Sequence, residues 1–392
     1  MITIKNTANC SGCGSCSSIC PHGCLTMQSE GEGFLYPHVD ADKCADCGLC
    51  VETCPINIPA SVGSRAPQAF AAWNRNAEIR ENSSSGGLFT LLAEKILKDG
   101  GVVFGAAFAE DYHSVHHIKV ETSEELYRLR GSKYLQSIIG NSYIEAQKCL
   151  DDGKPVLFTG TPCQIGGLKS FLGKDYPLLY TQDIICHGVP SPKIWAKYVD
   201  YREQEAASKT RRTFFRHKKY GWKRFSVQFE FTNCTEYIQI LSKDLYMRGF
   251  LADLYLRPSC HHCSFKGISR LADITLADFW GVSRLEPDMD DDKGTSLVLI
   301  HSEKGYRLFD ELKEQLRYKV VDLESAIAAN SAATKSAKPH PKREHFFLCI
   351  DKEPLLKLIS DCLYESPLLR AKKLIVRIFR KIKCTFKNRS KL

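Results

Sequence analysis

The chain has 392 residues, 43% of them hydrophobic and 25% charged, with a formal net charge of +9. At roughly 100–200 residues per domain this is room for two or three globular domains. Ten Lys or Arg and no Asp or Glu lie between Arg370 and Leu392, so the remainder carries −1. The basic balance belongs to the tail and gives no support for a nucleic-acid-binding body. No apolar run nears the ~20 residues of a membrane span. Met1–Asn6 carries no apolar signal core. Eighteen cysteines, nine within the first 54 residues, mean secreted disulfides or metal thiolates in a reducing compartment. Without a leader, the expectation is a cytoplasmic protein with thiolates.

The first run is Cys10-x-x-Cys13-x-x-Cys16-x-x-x-Cys20-Pro21, and the second is Cys44-x-x-Cys47-x-x-Cys50-x-x-x-Cys54-Pro55. Each has the bacterial ferredoxin spacing, in which the fourth cysteine serves the other cluster. One 4Fe–4S cluster is then expected on Cys10, Cys13, Cys16 and Cys54, and a second on Cys44, Cys47, Cys50 and Cys20. Zinc sites use two cysteine pairs across a longer spacer, unlike these repeated triplets. A module of about 60 residues buries little core, so the clusters are expected to supply much of its stability. Cys24 lies outside both runs and reads as a spare buried thiol.

Residues 56–68 are rich in Pro, Ser and Gly and read as a linker. After Asn82–Gly87 a helix is expected from Leu88 to Leu97, ending at Gly100-Gly101, followed by a strand at Val102–Phe108. Pro155–Phe158 reads as a buried strand, the loop Thr159–Gln164 leads to a helix near Leu172, and Leu178–Ile185 reads as a strand. Cys186-His187-Gly188 follows, then a helix after Pro192. This strand–helix–strand–helix order predicts parallel neighbours whose loops leave one sheet edge, with Cys163 and Cys186 close together. Alternation in Phe225–Phe231 and a second stretch after Asn233 predict an antiparallel hairpin within residues 211–241. Strands are also expected at residues 272–281 and Ser296–Ile300.

Cys260-x-x-Cys263 supplies half of a tetrahedral sulfur site. Cys163 and Cys186, in Gly- and Pro-containing loops, complete a candidate third 4Fe–4S site. Zinc held with His261 or His262, and plain reduced thiols, are the alternatives, and spacing does not separate them. Cys149, Cys234, Cys349, Cys362 and Cys384 read as packing or surface thiols.

Residues 83–87, 131–137, 158–164, 186–191 and 273–281 together resemble the coenzyme F-420 hydrogenase/dehydrogenase beta-subunit family, over roughly residues 1–320. The resemblance implies an α+β ferredoxin-like two-cluster domain followed by an α/β flavin-binding body with the antiparallel insertion. It favours the cluster reading of Cys163, Cys186, Cys260 and Cys263, and it implies FAD. It further implies flavin contacts from Ser84, Ser85, Gly86, Gly87, Lys133, Tyr134 and Gln136. A Ser-Gly turn opening a helix suits a pyrophosphate, although the same residues also make an ordinary serine cap.

The expected organisation is a ferredoxin domain at 1–60, a linker at 61–69, a flavin-binding region at 70–150, an α/β region with the proximal cluster at 151–320, and a helical, basic tail at 321–392. The expected function is an iron–sulfur flavoprotein oxidoreductase fed by a redox partner protein or reduced carrier. The alternative is a non-catalytic electron-transfer subunit docking with a separate redox or polysaccharide-biosynthesis enzyme. His187 reads either as a proton relay or as a loop hydrogen-bonding residue. Asp278 reads either as a flavin or substrate contact or as a cap of the Trp280-Gly281 turn. In the tail, Ile375, Ile378, Phe379, Ile382 and Phe386 fall on one helical face among basic residues. That face suits a peripheral membrane contact, an acidic partner, or packing on the chain's own domain.

Overall fold

The computed structural model describes residues 1–59 and 66–364. The N-terminal module is built twice over. In each half a cysteine loop ends at a left-handed glycine, Gly14 (φ +80) or Gly48 (φ +79), that opens a one-turn helix: α1 (Ser15–Ser18) or α2 (Leu49–Glu52). Positive φ costs glycine little, so the chain can reverse around a sulfur cage there. The hairpin β1 (Leu25–Ser29) and β2 (Leu35–Val39) joins the halves. Ser15 Oγ meets Thr53 Oγ1 at 2.9 Å across the pseudo-twofold.

The body begins with β3 (Gln68–Asn74), so Gln68 and Ala69 of the linker expected at 61–69 are already strand, and residues 61–65 of it lie outside the described residues. Helices α3 (Ala77–Glu81) and α4 (Leu88–Lys98) lead to β4 (Val102–Phe108) and β5 (Val115–Val120). Then come α5 (Ser142–Asp151), β6 (Val156–Thr159), α6 (Pro162–Leu172), β7 (Leu179–Ile184) and α7 (Pro192–Ala206). Next are β8 (Thr210–His217), β9 (Ser226–Phe231), β10 (Glu236–Ile240) and α8 (Leu245–Leu251). The last strands are β11 (Ile274–Asp278), β12 (Ser296–Ile300) and β13 (Leu316–Val320).

Eight strands form one mixed sheet in the order β13-β3-β12-β11-β7-β6-β4-β5. The four central strands β11, β7, β6 and β4 are parallel; the flanking pairings are antiparallel. Parallel strands buried on both faces lose alternation, which is why β6 reads as a plain apolar run. The regions expected at 70–150 and 151–320 interleave in this sheet, because β3 returns to lie between β12 and β13. The parallel strands deliver their carboxyl ends to one edge, where open α/β sheets hold ligands. Thr159, Ile184 and Asp278 all end there.

The insertion is a three-stranded antiparallel sheet, β10-β9-β8, one strand more than the expected hairpin. It packs on α7 and α8 around buried Trp195, Phe215, Phe229, Tyr246 and Tyr255. Of the tail, helices Leu323–Ala328, Arg343–Cys349 and Leu355–Leu363 are described, and the last adds Leu355, Leu358, Ile359 and Cys362 to that core. The amphipathic basic stretch from Ile375 lies outside the described residues. No helix among the described residues is long and apolar enough to cross a membrane.

Trp195 is fully buried, and its ring lies 4.5 Å from that of Phe215. Trp195→Ala is expected to cost about 3–5 kcal/mol of stability, the range for deleting a large buried aromatic. A urea melt followed by circular dichroism measures this.

Candidate functional site

In the module, Cys54 joins Cys10, Cys13 and Cys16. Burial, then the charges of Cys13, Cys10 and Cys54, push the Cys16 thiol up. Cys20 joins Cys44, Cys47 and Cys50 around a second small cavity. Cys24 lines that same cavity with its sulfur 3.3 Å from Cys20 Sγ, so it stands beside a ligand set and not apart from it.

Cys163, Cys186, Cys260 and Cys263 ring a third cavity of about 90 Å³. Each sits where local structure holds it. Cys163 is in the first turn of α6, behind Pro162 and a reciprocal cap between Thr161 and Gln164. Cys186 follows β7, and Cys260 lies in a short 3-10 turn, Pro258–His262. Val189 N–H donates to Cys260 Sγ at 3.4 Å and Ser336 Oγ accepts from Cys263 N–H at 3.0 Å. Burial pushes the Cys186 and Cys260 thiols up to about 12, so binding iron there must displace protons. Lys266 Nζ donates to the carbonyls of Cys186 and Ala332, and Arg270 is paired with Asp183 at 3.3 Å, both against this cavity. Among the described residues no three His, Cys, Asp or Glu converge closely enough for a single metal ion. His261 Nδ1 faces the Ala337 carbonyl at 3.0 Å. Four sulfurs lining one cavity, with Lys266 and Arg270 beside it, are a donor set that fits a cubane cluster.

The third cavity is closed on one side by Ala8, Asn9, Ser11 and Ile56 of the module. Helix α6 is pressed onto the first set: a Cβ at Gly167 would stand 3.0 Å from Cys13 Sγ. A side chain there would force the two apart.

A larger cavity of about 720 Å³ opens at the carboxyl edge of the sheet. That volume lies within the range of cofactor sites. Cys186, His187, Gly188 and Val189 line both it and the third sulfur cavity. Ser84, Ser85, Gly87, Lys133 and Tyr134 line it; Gly86 and Gln136 do not. Ser84 Oγ accepts from Ser132 N–H at 2.7 Å. Gly86 is packed against Ser296, whose Oγ accepts its N–H at 3.0 Å, and has no room for a ligand. Gln136 turns the other way and donates to Ser11 O and Gly12 O of the module at 3.4 and 3.3 Å. Lys133 Nζ donates to the carbonyls of Leu129, Arg130 and Gly131, and burial brings its pKa down to about 7.

His187 Nε2 contacts Asp253 Oδ1 at 2.6 Å on the shared wall. Asp278 accepts from Arg216 Nη1 and Nη2 at 2.7 and 3.0 Å and from Trp222 Nε1 at 3.0 Å. Its carboxylate therefore anchors a cation and does not cap the following turn. Arg216 escapes a reading of the sequence, because it sits in the basic stretch Arg216-His217-Lys218-Lys219 and looks like surface. It is buried, lines the large cavity, and leaves Nε without a partner.

A dicluster-type module docked on an α/β body with a thiolate-walled cavity defines an iron–sulfur oxidoreductase-type subunit. The chain belongs to the coenzyme F420 hydrogenase/dehydrogenase beta-subunit family: the N-terminal model matches residues 69–142 and the C-terminal model residues 153–326. A 4Fe-4S dicluster domain matches residues 9–58. The chain is 24% identical over 195 residues to the coenzyme F420-dependent sulfite reductase of Methanocaldococcus jannaschii, covering 49% of this chain but only 30% of that protein. It is 21% identical over 323 residues to one subunit of the F(420)H(2) dehydrogenase of Methanosarcina mazei, covering 78% of this chain and 83% of that one. A chain in the F420-reducing [NiFe] hydrogenase complex from Methanosarcina barkeri aligns at 17% identity and a TM-score of 0.47, over 76% of this chain and 89% of that one.

The buried charges are open to test. Arg216→Met leaves the Asp278 carboxylate half-buried without its cation and is expected to cost about 3–5 kcal/mol, read from denaturant melts. His117 is buried, and burial lowers its pKa to about 4 from its ordinary value of 6.5. Between those values the unfolded chain binds the extra proton, so stability falls as pH drops through that window and is fully present above pH 6.5. Thermal melts at about pH 7 and about pH 5 should diverge less for His117→Asn than for the wild type.

Proposed function

We propose that this chain is an iron–sulfur flavoprotein oxidoreductase, with three 4Fe–4S clusters on the three cysteine sets and FAD in the large cavity. One observation carries the reading: the segment Cys186–Val189 is at once a wall of the third sulfur cavity and of the 720 Å³ cavity. When bound, clusters supply one-electron transfer and a flavin supplies both one-electron and hydride transfer, a pairing that matches single electrons to a two-electron substrate.

The chain's own residues set the order. The two module sets are tied through Ser15 and Thr53, the first set abuts α6 at Gly167, and Cys163 of the third set lies in the first turn of α6. Around the large cavity, Ser84, Ser85 and Gly87 stand in the turn that opens the eleven-residue helix α4 and present its positive dipole end to a pyrophosphate. Lys133, held by carbonyls alone, is a buried amine whose charged form an anionic ligand beside it would favour, and Arg216 Nε leaves a buried donor open to an acceptor. The rings of Tyr134 and Trp280 line the same cavity and suit a planar tricyclic group. His187, oriented by Asp253, stands on the shared wall where a proton can be moved.

The names of the relatives attach coenzyme F420 to their chemistry, so a deazaflavin of that kind is the first hydride partner to try, with nicotinamides next. The relative from Methanosarcina mazei is named as part of a larger dehydrogenase, which supports a protein partner as the other electron source or sink.

Anaerobically purified full-length protein is expected to carry about twelve iron and one FAD per chain. Cys186→Ser is expected to lower iron by about four while the reduced-module paramagnetic signal persists. About eight iron with no flavin would favour the electron-carrier reading, and zinc would overturn the cluster reading of Cys260 and Cys263.

A further inference from the structure

Arg257 stands three residues before Cys260 and is fully buried. Its Nε donates to Cys10 O at 2.8 Å, Nη2 to Leu35 O at 2.9 Å, and Nη1 to Gln136 Oε1 at 2.8 Å. The guanidinium lies 4.2 Å from the centre of the Tyr36 ring. None of these partners is a carboxylate. The buried arginines that line the cavities have theirs: Arg216 has Asp278 and Arg270 has Asp183. A buried cation among neutral dipoles is costly unless an anion offsets it.

Among the residues it holds are cysteines of two sets. Arg257 grips the backbone of Cys10 in the first module set, and its own carbonyl accepts from Cys260 N–H at 2.9 Å at the third set. Its position is enforced from both sides. Gln136 spends its amide N–H groups on Ser11 O and Gly12 O, which leaves Oε1 turned to the guanidinium. Gly12 has φ +68, and a Cβ there would overlap both the Gln136 amide and the Arg257 guanidinium. Glycine therefore lets the cysteine loop come down onto the charge.

We propose that Arg257 is the shared counter-charge of the first module set and the third set, and that it holds the reduction potentials of the iron–sulfur groups there above the values they would take without it. This rests on those two sets being cluster sites. Adding an electron makes such a site more negative by one unit, and a fixed cation in a low-dielectric interior stabilises the reduced form more than the oxidised one. Lys266 and Arg270 act on the third set from its Cys186 side, so Arg257 is the positioning residue that links the two sets.

The test is a potentiometric titration of the anaerobic full chain, followed by electron paramagnetic resonance, with iron and sulfide counted in each sample. Arg257→Gln removes the charge, Arg257→Lys keeps it, and Gln136→Glu leaves the arginine but sets a carboxylate against it. Arg257→Gln and Gln136→Glu are each expected to make reduction of at least one site about tenfold less favourable at fixed solution potential, about 59 mV for one electron. Arg257→Lys should restore most of that shift. If Arg257→Gln does not assemble its clusters, Gln136→Glu decides. Wild-type potentials in the assembled charge-removing variants would overturn the proposal. A wild-type chain with no sulfide would instead overturn the cluster reading beneath it.

Discussion

Helix α6 meets the cysteine module with no side chain between them: at Gly167 an added methyl group would stand 3.0 Å from Cys13 Sγ. The rest of the site inherits its spacing from that contact. Because Cys163 lies in the first turn of α6, closeness at Gly167 also brings the first module set toward the third. If both sets hold clusters, as proposed, this close approach shortens the path between them. The arrangement also explains why part of the third cavity's wall, Ala8, Asn9, Ser11 and Ile56, comes from the module.

Around this contact the body handles charge in two ways. At the large cavity, one buried cation is paired: Arg216 is gripped by Asp278, and that pair is fixed further by Trp222. At the module interface, Arg257 meets only carbonyls and an amide. A pair keeps its geometry as charge nearby changes, whereas a cation without a carboxylate partner responds to the charge of its neighbours. Lys133, likewise held only by carbonyls, belongs with Arg257 and not with Arg216.

Much of this is legible without the fold, for reasons that can be named. Cysteine spacing reports directly on cage ligation, because wrapping one cage with closely spaced thiolates is a local constraint. The parallel pairing of β6 and β7 is legible because a strand–helix–strand path of that length leaves few other options. The strands β3, β5 and β13 are not. β3 is a short, almost wholly buried run next to a Pro- and Ser-rich stretch, and its place between β12 and β13 depends on segments far along the chain. Gln136 and Gly86 share motifs with residues that line the cavity, but one turns toward the module and the other is packed on Ser296. A motif specifies neighbours in sequence; it does not specify which side of a loop faces the ligand.

The order and spacing of the cysteines, the helix cap at Thr161, and the apolar runs of the central strands were determined by the amino-acid sequence, since each depends on contacts within a few residues. That Asp278 holds Arg216 and that Arg257 reaches Cys10 were decided by the tertiary structure alone, which also brought the four cysteines grouped from the sequence around one cavity. Those contacts join residues that only the assembled sheet and the docked module bring within a few ångströms, and no local preference encodes them.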